Sequence, residues 1–123
     1  IKKWSEIIAS SDAAIFVAPE YNHSYPGELK ILIDSLYPEY KNKVAGVVGV
    51  SAGQYGGARM VENLKQLLIT TNFLVCNKAV LVSKVGETFY DQGSAKNLEA
   101  IAKIEKQLDG LLEEMAEKVN FLK

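Results

Sequence analysis

Residues 13–27, AAIFVAPEYNHSYPG, join a continuously apolar run to a polar segment that is bounded by prolines. The run at 13–18 is apolar at every position instead of alternating, which is typical of a parallel strand with helices on both faces. Pro26 suits the first turn of a helix, where its missing N–H costs nothing, and Glu28 suits the positive end of the helix dipole. The segment therefore predicts a strand, a loop (loop 1, residues 19–27) and a helix over about 26–37.

The same alternation of buried strand and amphipathic helix continues on both sides of this segment. A helix is predicted to end before Ser10, where Trp4, Ile7 and Ile8 share one face. Further strands are predicted at 44–50 and within 73–82, the latter interrupted at Asn77 and Lys78, and further helices at about 57–70 and from Ser94 to near the C-terminus. This order predicts an α/β fold, a single domain over residues 1–123 with a doubly wound parallel sheet in a three-layer α/β/α arrangement.

Three strands make a narrow sheet for a fold of this kind. Strands this apolar leave an edge and part of a face exposed unless something pairs with them. The chain also begins with Ile1, in the middle of an amphipathic pattern. We therefore expect either a partner that supplies more strands or further sequence before Ile1, with truncation at the N-terminus.

Composition and charge exclude several classes of function. The chain has 14 Lys and Arg against 15 Asp and Glu, a net charge of −1, and shows no basic stripe for nucleic acid. Its apolar runs are far shorter than the roughly 20 residues that span a bilayer. One cysteine and one histidine provide neither a disulfide nor a metal cluster. We expect no nucleic acid, membrane or metal partner, and a reducing, cytoplasmic location.

Chemistry is expected where loop 1 meets a second loop at the carboxyl ends of neighbouring strands, the usual ligand edge of open α/β sheets. Loop 2, residues 51–57, reads SAGQYGG and follows the strand at 44–50. Its glycines allow backbone N–H groups to approach a planar ligand. A slot lined by Tyr21, Tyr55 and backbone amides would accept a flat ring with polar edges.

A family resemblance becomes specific at these residues. Pro19-Glu20-Tyr21-Asn22, Ser24, Pro26, Leu29-Lys30 and Ile33-Asp34 resemble the signature P-E-Y-N-x-S-x-P-x-x-L-K-x-x-I-D of NADPH-dependent FMN reductases, which include quinone, azo and chromate reductases. The segment from Ser51 to Arg59 is similar to the second flavin loop of that family. Residues 89–93 resemble its run before the last helix. The resemblance covers essentially the whole chain.

The resemblance implies a flavodoxin-like fold and an FMN-dependent oxidoreductase. Such an enzyme takes hydride from NADPH onto flavin N5 and passes electrons to a small-molecule acceptor: a quinone, an azo compound, a metal ion or free flavin. A homodimer or homotetramer is also implied. No catalytic acid, base or nucleophile is assigned, because the cofactor carries the chemistry. The implied cofactor-binding residues are Pro19, Glu20, Tyr21, Asn22, His23 and Ser24 in loop 1, and Ser51, Gly53, Tyr55, Gly56 and Gly57 in loop 2.

The chain departs from the family pattern in two respects. The first two strands of the family are absent, together with the Gly-Ser-x-Arg loop that holds the FMN phosphate at a helix N-terminus. Ile31 replaces the usual Asn in the helix that many members use for dimerisation. Two alternatives to an enzyme therefore stay open, a non-catalytic FMN-binding electron carrier and a flavin-free fragment that completes an oligomeric fold.

Several of these residues also have a simpler structural interpretation. Loop 1 by itself is an ordinary turn sequence, and loop 2 is also compatible with a tight strand-to-helix turn. His23 has no visible partner to orient it. Cys76 fits a small buried side chain better than a redox thiol. Arg59 is compatible with a solvated charge, with a contact to the NADPH 2′-phosphate and with a contact to a partner subunit.

Overall fold

The structure is a computed structural model that describes residues 1–123. Its strands are β1 Ala13–Pro19, β2 Val44–Val50 and β3 Leu74–Val82. Its helices are α1 Lys2–Ala9, α2 Gly27–Asp34, α3 Ala58–Thr70, α4 Val85–Thr88 and α5 Leu98–Leu122, with a 3₁₀ turn at Pro38–Tyr40. All three predicted strands are confirmed. No helix is both long and apolar enough to cross a bilayer.

The sheet is parallel throughout, and its order is β1-β2-β3. β1 pairs with β2 in unbroken register from Ala13 with Val44 to Pro19 with Val50. Along β3 the register shifts, since Ala45 pairs with Val75 whereas Val47 pairs with Ala79. The interruption predicted at Asn77 and Lys78 is therefore a bulge within one strand.

Helices cover both faces of the sheet, as the α/β/α prediction requires. On one face, α1, α2 and α3 pack on inward residues of β1 and β2 around Tyr40 and Phe73, whose rings stack 4.7 Å apart. On the other face, α5 supplies Leu111 and Met115 to a smaller core with β2 and β3. The doubly wound, three-layer arrangement is confirmed.

The α5 face of the sheet is not covered along β1. Val17 is 65% exposed and Ile15 is 40% exposed, although both belong to an apolar strand. β1 also pairs with β2 alone, so its other side presents unpaired backbone. The exposed strand edge and exposed apolar face that the sequence predicts therefore both belong to β1.

Two predicted helix boundaries are wrong. α2 ends at Asp34, not near residue 37, because Pro38 disfavours helical geometry in the residue before it and the chain turns into the 3₁₀ segment. α5 begins at Leu98 instead of Ser94, because Asn97 caps it by accepting a hydrogen bond from Ala100 N at 3.1 Å. The short helix α4 had no signal in the sequence.

Candidate functional site

Loops 1 and 2 lie side by side at the carboxyl edge of the sheet. Glu20 N donates to Val50 O at 3.0 Å, so loop 1 leaves β1 beside the start of loop 2. Ser51 N donates in turn to Val82 O at 3.0 Å, which places loop 2 beside the end of β3. The structure thus brings together the two loops that were predicted to meet.

Loop 1 contains a two-residue hairpin. Tyr21 and Ser24 exchange backbone hydrogen bonds of 2.9 and 3.0 Å. Between them Asn22 and His23 both have positive φ, 52° and 65°, which is the pattern of a type I′ turn. The turn interpretation of this sequence is therefore correct. In this hairpin the side chains of Tyr21, Asn22 and His23 are exposed at the tip of the loop.

Loop 2 presents a run of free backbone donors. No amide of residues 52–57 donates to another protein group. The carbonyls are occupied instead, since Lys84 N donates to Gly53 O at 2.8 Å and Val85 N donates to Ser51 O at 3.1 Å. The Ser51 hydroxyl donates to Gly53 O at 3.2 Å. The loop is thus held through its carbonyls, while the N–H groups of the exposed residues 52–55 make no protein hydrogen bond.

Gly56 and Gly57 are required by the path of the backbone. Both have positive φ, 61° and 80°. A Cβ at Gly56 would lie 2.7 Å from Leu81 Cβ, and one at Gly57 would lie 3.2 Å from Val50 N. Both residues are buried, whereas a Cβ added at the exposed Gly53 would have only the Ser51 hydroxyl oxygen near it, at 4.0 Å. The tight strand-to-helix turn is therefore real, and it is formed by the glycines nearest to α3.

Helix α3 holds loop 1 by two side-chain hydrogen bonds that sequence reasoning missed. Met60 N, in the first turn of α3, donates to Glu20 Oε1 at 3.0 Å. One turn later, Asn63 Nδ2 donates to His23 O at 2.8 Å. Both contacts join residues 40 positions apart, so no local pattern marks them. Asn63 had not been recognised as part of the site.

The remaining candidates divide into residues at the site and residues away from it. Tyr21 and Tyr55 are exposed at its rim, and the Arg59 guanidinium lies 5.2 Å from the Tyr55 ring centroid, a cation–π distance. Cys76 lies in the α5-side core, and burial raises the pKa of its thiol to about 11. No group of three His, Cys, Asp or Glu side chains is placed to hold a metal ion.

The site is an open edge of the sheet. None of the surface cavities includes a residue of loop 2. One groove is lined by Ser24 and Tyr25 of loop 1 together with Asn63 of α3. The candidate site is therefore a surface edge that carries backbone N–H groups and the exposed rings of Tyr21 and Tyr55.

Comparison with known proteins agrees with these features. The chain is 36% identical over 116 residues to an NAD(P)H-dependent FMN reductase of Pseudomonas aeruginosa, covering 90% of this chain and 63% of that protein. It is 35% identical over 111 residues to a quinone reductase of Escherichia coli strain K12, covering 80% of this chain and 58% of that protein. The chain thus spans about three fifths of the length of these relatives.

A solved structure and a family model complete the comparison. FerB, a flavoenzyme NAD(P)H:acceptor oxidoreductase from Paracoccus denitrificans, superposes with a TM-score of 0.80 at 26% identity, over 95% of this chain and 68% of that chain. The flavodoxin-like fold is thereby confirmed. The model described as NADPH-dependent FMN reductase matches residues 1–87, which include both loops. This chain therefore belongs to the NADPH-dependent FMN reductase family.

Proposed function

We propose that this chain forms the flavin-ring wall of an FMN-dependent oxidoreductase that takes hydride from NADPH and passes electrons to a small-molecule acceptor. The observation that carries the proposal is the row of free amides in residues 52–57 beside the hairpin of loop 1. Family membership supports the same conclusion. The proposal concerns the activity of a whole protein, since this chain spans about three fifths of the length of its relatives.

The residues at this edge fit the ring of FMN. Its pyrimidine end carries carbonyl oxygens and ring nitrogens, which would accept hydrogen bonds from the amides of Gly53, Tyr55, Gly56 and their neighbours in loop 2. Such donors also stabilise the negative charge of a reduced ring. When bound, FMN supplies the hydride-accepting chemistry. The protein binds and orients the ring, through Pro19, Glu20, Tyr21, Asn22, His23 and Ser24 on one side and Ser51, Gly53, Tyr55, Gly56 and Gly57 on the other.

The electron acceptor is proposed as a class. A quinone is favoured because the Escherichia coli relative is named a quinone reductase. Azo compounds, metal ions and free flavin are the other acceptors that the family resemblance implies. We place the activity in the cytoplasm, since the single free thiol of Cys76 is typical of a reducing compartment.

We also propose that the protein works as a homodimer or homotetramer. The outer surface of α2 supports this, because Ile31 and Leu32 are exposed there and Tyr37 is exposed just beyond it. Exposed apolar side chains grouped on one helix are typical of contact surfaces between subunits. Ile31 stands where the family has a polar residue, which makes this surface more apolar.

The test is anaerobic absorbance spectroscopy after incubation with FMN and removal of unbound flavin, before and after NADPH is added. Retained flavin absorbance that bleaches rapidly is the expected result. Retained flavin that does not bleach indicates an electron carrier. If the 123-residue chain retains none, it is not a self-sufficient flavoprotein, and the same measurement on a longer chain decides between a flavoenzyme and a flavin-free fragment.

Matched tyrosine variants locate the site. Tyr21 and Tyr37 are both 57% exposed, but only Tyr21 lies at the loop edge. Tyr21→Ala is expected to weaken FMN binding roughly tenfold, since an aromatic contact contributes about 1 kcal/mol beyond burial. Tyr37→Ala is expected to bind FMN normally, provided that sedimentation shows its oligomeric state to be unchanged. Normal FMN affinity of Tyr21→Ala would exclude a contact between Tyr21 and the flavin.

A further inference from the structure

Glu20 caps the N-terminus of α3 from another part of the chain, since no side chain of α3 or its N-cap does so. The N-cap of α3 is Gly57, which has no side chain to accept from the first turn, and that turn contains no acidic residue. The first N–H groups of a helix need outside acceptors, and a negative charge there is favourable. The half-buried carboxylate of Glu20 supplies both, through the 3.0 Å bond from Met60 N.

This bond joins the two loops of the candidate site. Glu20 belongs to loop 1, whereas Met60 lies in the first turn of α3, the helix that follows loop 2. Asn63 adds a second tie, from one turn further along the same helix to the carbonyl of His23. Displacement of α3 along its axis would therefore move loop 1 and loop 2 together.

The hairpin of loop 1 has few other anchors. The hydrogen bonds of Tyr21 and Ser24 are made with each other and hold only the turn itself. Three hydrogen bonds join residues 20–24 to the rest of the chain. One runs from Glu20 N to β2, and the other two come from α3. Two of these three ties come from the helix that also ends loop 2, so α3 sets the position of the hairpin tip.

We propose that Glu20 and Asn63 are positioning residues, which fix the separation of loops 1 and 2 by tying the hairpin to the N-terminus of α3. For flavin this inference rests on the proposed function, since the loop separation defines the slot for the ring. The Glu20 side chain then acts on a cofactor through Met60 and the loop backbone. Its carboxylate is a bridge between protein elements.

The first experiment measures amide hydrogen exchange of the flavin-free 123-residue chain. In Glu20→Ala the Met60 amide loses its acceptor, so its exchange is expected to rise at least tenfold, with faster exchange in residues 20–24. Asn63→Ala is expected to affect residues 21–24 alone. Glu20→Gln keeps an acceptor oxygen and is expected to restore most of the protection.

Glu62→Ala is the matched control, because Glu62 lies on α3 between the two anchors but is exposed and makes only a 3.8 Å ion pair with Lys65. It is expected to exchange like the unchanged chain. Urea unfolding of each variant identifies any general loss of stability. Unchanged exchange of Met60 and residues 20–24 in a folded Glu20→Ala variant would overturn the proposal.

The second experiment measures FMN affinity and the reduction potential of bound flavin. Glu20→Ala is expected to weaken FMN binding about tenfold and to shift the potential, whereas Glu62→Ala changes neither. This measurement uses the 123-residue chain if it retains FMN and otherwise the longer chain. If neither chain binds FMN, the proposed function fails, and the exchange result still decides whether the bridge exists. If flavin binds equally well to Glu20→Ala, the function stands and the positioning role for flavin fails.

Discussion

At the scale of single residues, Gly49 shows how closely loop 2 is packed on the sheet. A Cβ at this position would lie 2.6 Å from Gly56 O and 2.8 Å from Val61 Cγ2. Because the first of these atoms belongs to the backbone, Gly49→Ala is expected to destabilise the fold by about 2 kcal/mol, measured by urea unfolding. Gly86→Ala is the control, since nothing lies within 4 Å of its added Cβ. Equal losses in the two variants would contradict this packing.

Cys76 provides a second prediction at this scale. Burial, followed by the nearby charge of Glu114, raises the pKa of its thiol to about 11. At pH 8 almost none of it is the reactive thiolate, and the side chain is enclosed in the α5-side core. We expect no reaction with a thiol-specific disulfide reagent in the folded chain and complete reaction in urea. Rapid labelling without denaturant would revive the redox interpretation.

The residues of the site were only partly predictable from the sequence. Asn22 and His23 carry a turn signal of their own, and Gly56 and Gly57 carry the signal of a tight turn, so their local conformation follows from residue type. The roles of Glu20 and Asn63 depend on contacts between distant segments. A carboxylate that caps a helix from another loop has no period and no spacing, and only the folded chain reveals it.

At the scale of elements, the bulge in β3 depends on Glu114 of α5. Its carboxylate accepts hydrogen bonds from Asn77 N at 2.7 Å and Lys78 N at 2.9 Å, and its side chain is 12% exposed. Glu114→Ala leaves two backbone donors without their acceptor. We expect a loss of about 2 kcal/mol in the free energy of unfolding, whereas Glu113→Ala on the exposed side of the helix changes little. A loss no larger than that of Glu113→Ala would disprove the role of this contact.

The same carboxylate predicts a dependence on pH. Burial acts to raise the pKa of Glu114, but the bonds from Lys78 and Asn77 and the Lys118 charge outweigh it, and the pKa lies below its ordinary value. A depressed pKa in the folded state stabilises the fold above the unfolded pKa, and this contribution is lost as pH falls through the folded value. The stability difference between the chain and Glu114→Gln is therefore expected to shrink below about pH 4. A difference that stays constant down to pH 3 would contradict this linkage.

Elements with a continuous apolar pattern were predictable, although one face of β1 is exposed, and the ends of elements were less predictable. β1 and β2 follow from short runs in which every residue is apolar. Pro19 ends the first run and the glycine-rich loop 2 ends the second, which favours a strand over a helix. α2 stops early because of Pro38, and α5 starts late because Asn97 caps it. These boundaries depend on which of several nearby breakers or caps the tertiary structure uses.

At the scale of the whole molecule, the two edges of the sheet differ. Along β3, Gln107 Oε1 accepts from Leu81 N at 2.9 Å and Glu114 accepts from the bulge, so side chains of α5 satisfy outward backbone donors. β1 has no such cover, and Ile15 and Val17 are exposed beside its open edge. An uncovered apolar edge strand is a template for pairing. We propose that additional strands and a helix join the sheet at β1.

This asymmetry predicts the behaviour of the 123-residue chain in solution. Without cover on β1, the chain is expected to self-associate at micromolar concentration, as measured by sedimentation velocity. Val17→Lys places a charge on that face without entering the core, because Val17 is 65% exposed, and it is expected to shift the chain toward monomer. Ile69→Lys is the control, since Ile69 is 61% exposed on α3, which packs on the face of the sheet opposite to Val17. If both variants associate like the unchanged chain, β1 is not the contact surface, and the exposed apolar side chains of α2 are the next candidate. If only Ile69→Lys dissociates the chain, the contact surface lies on α3.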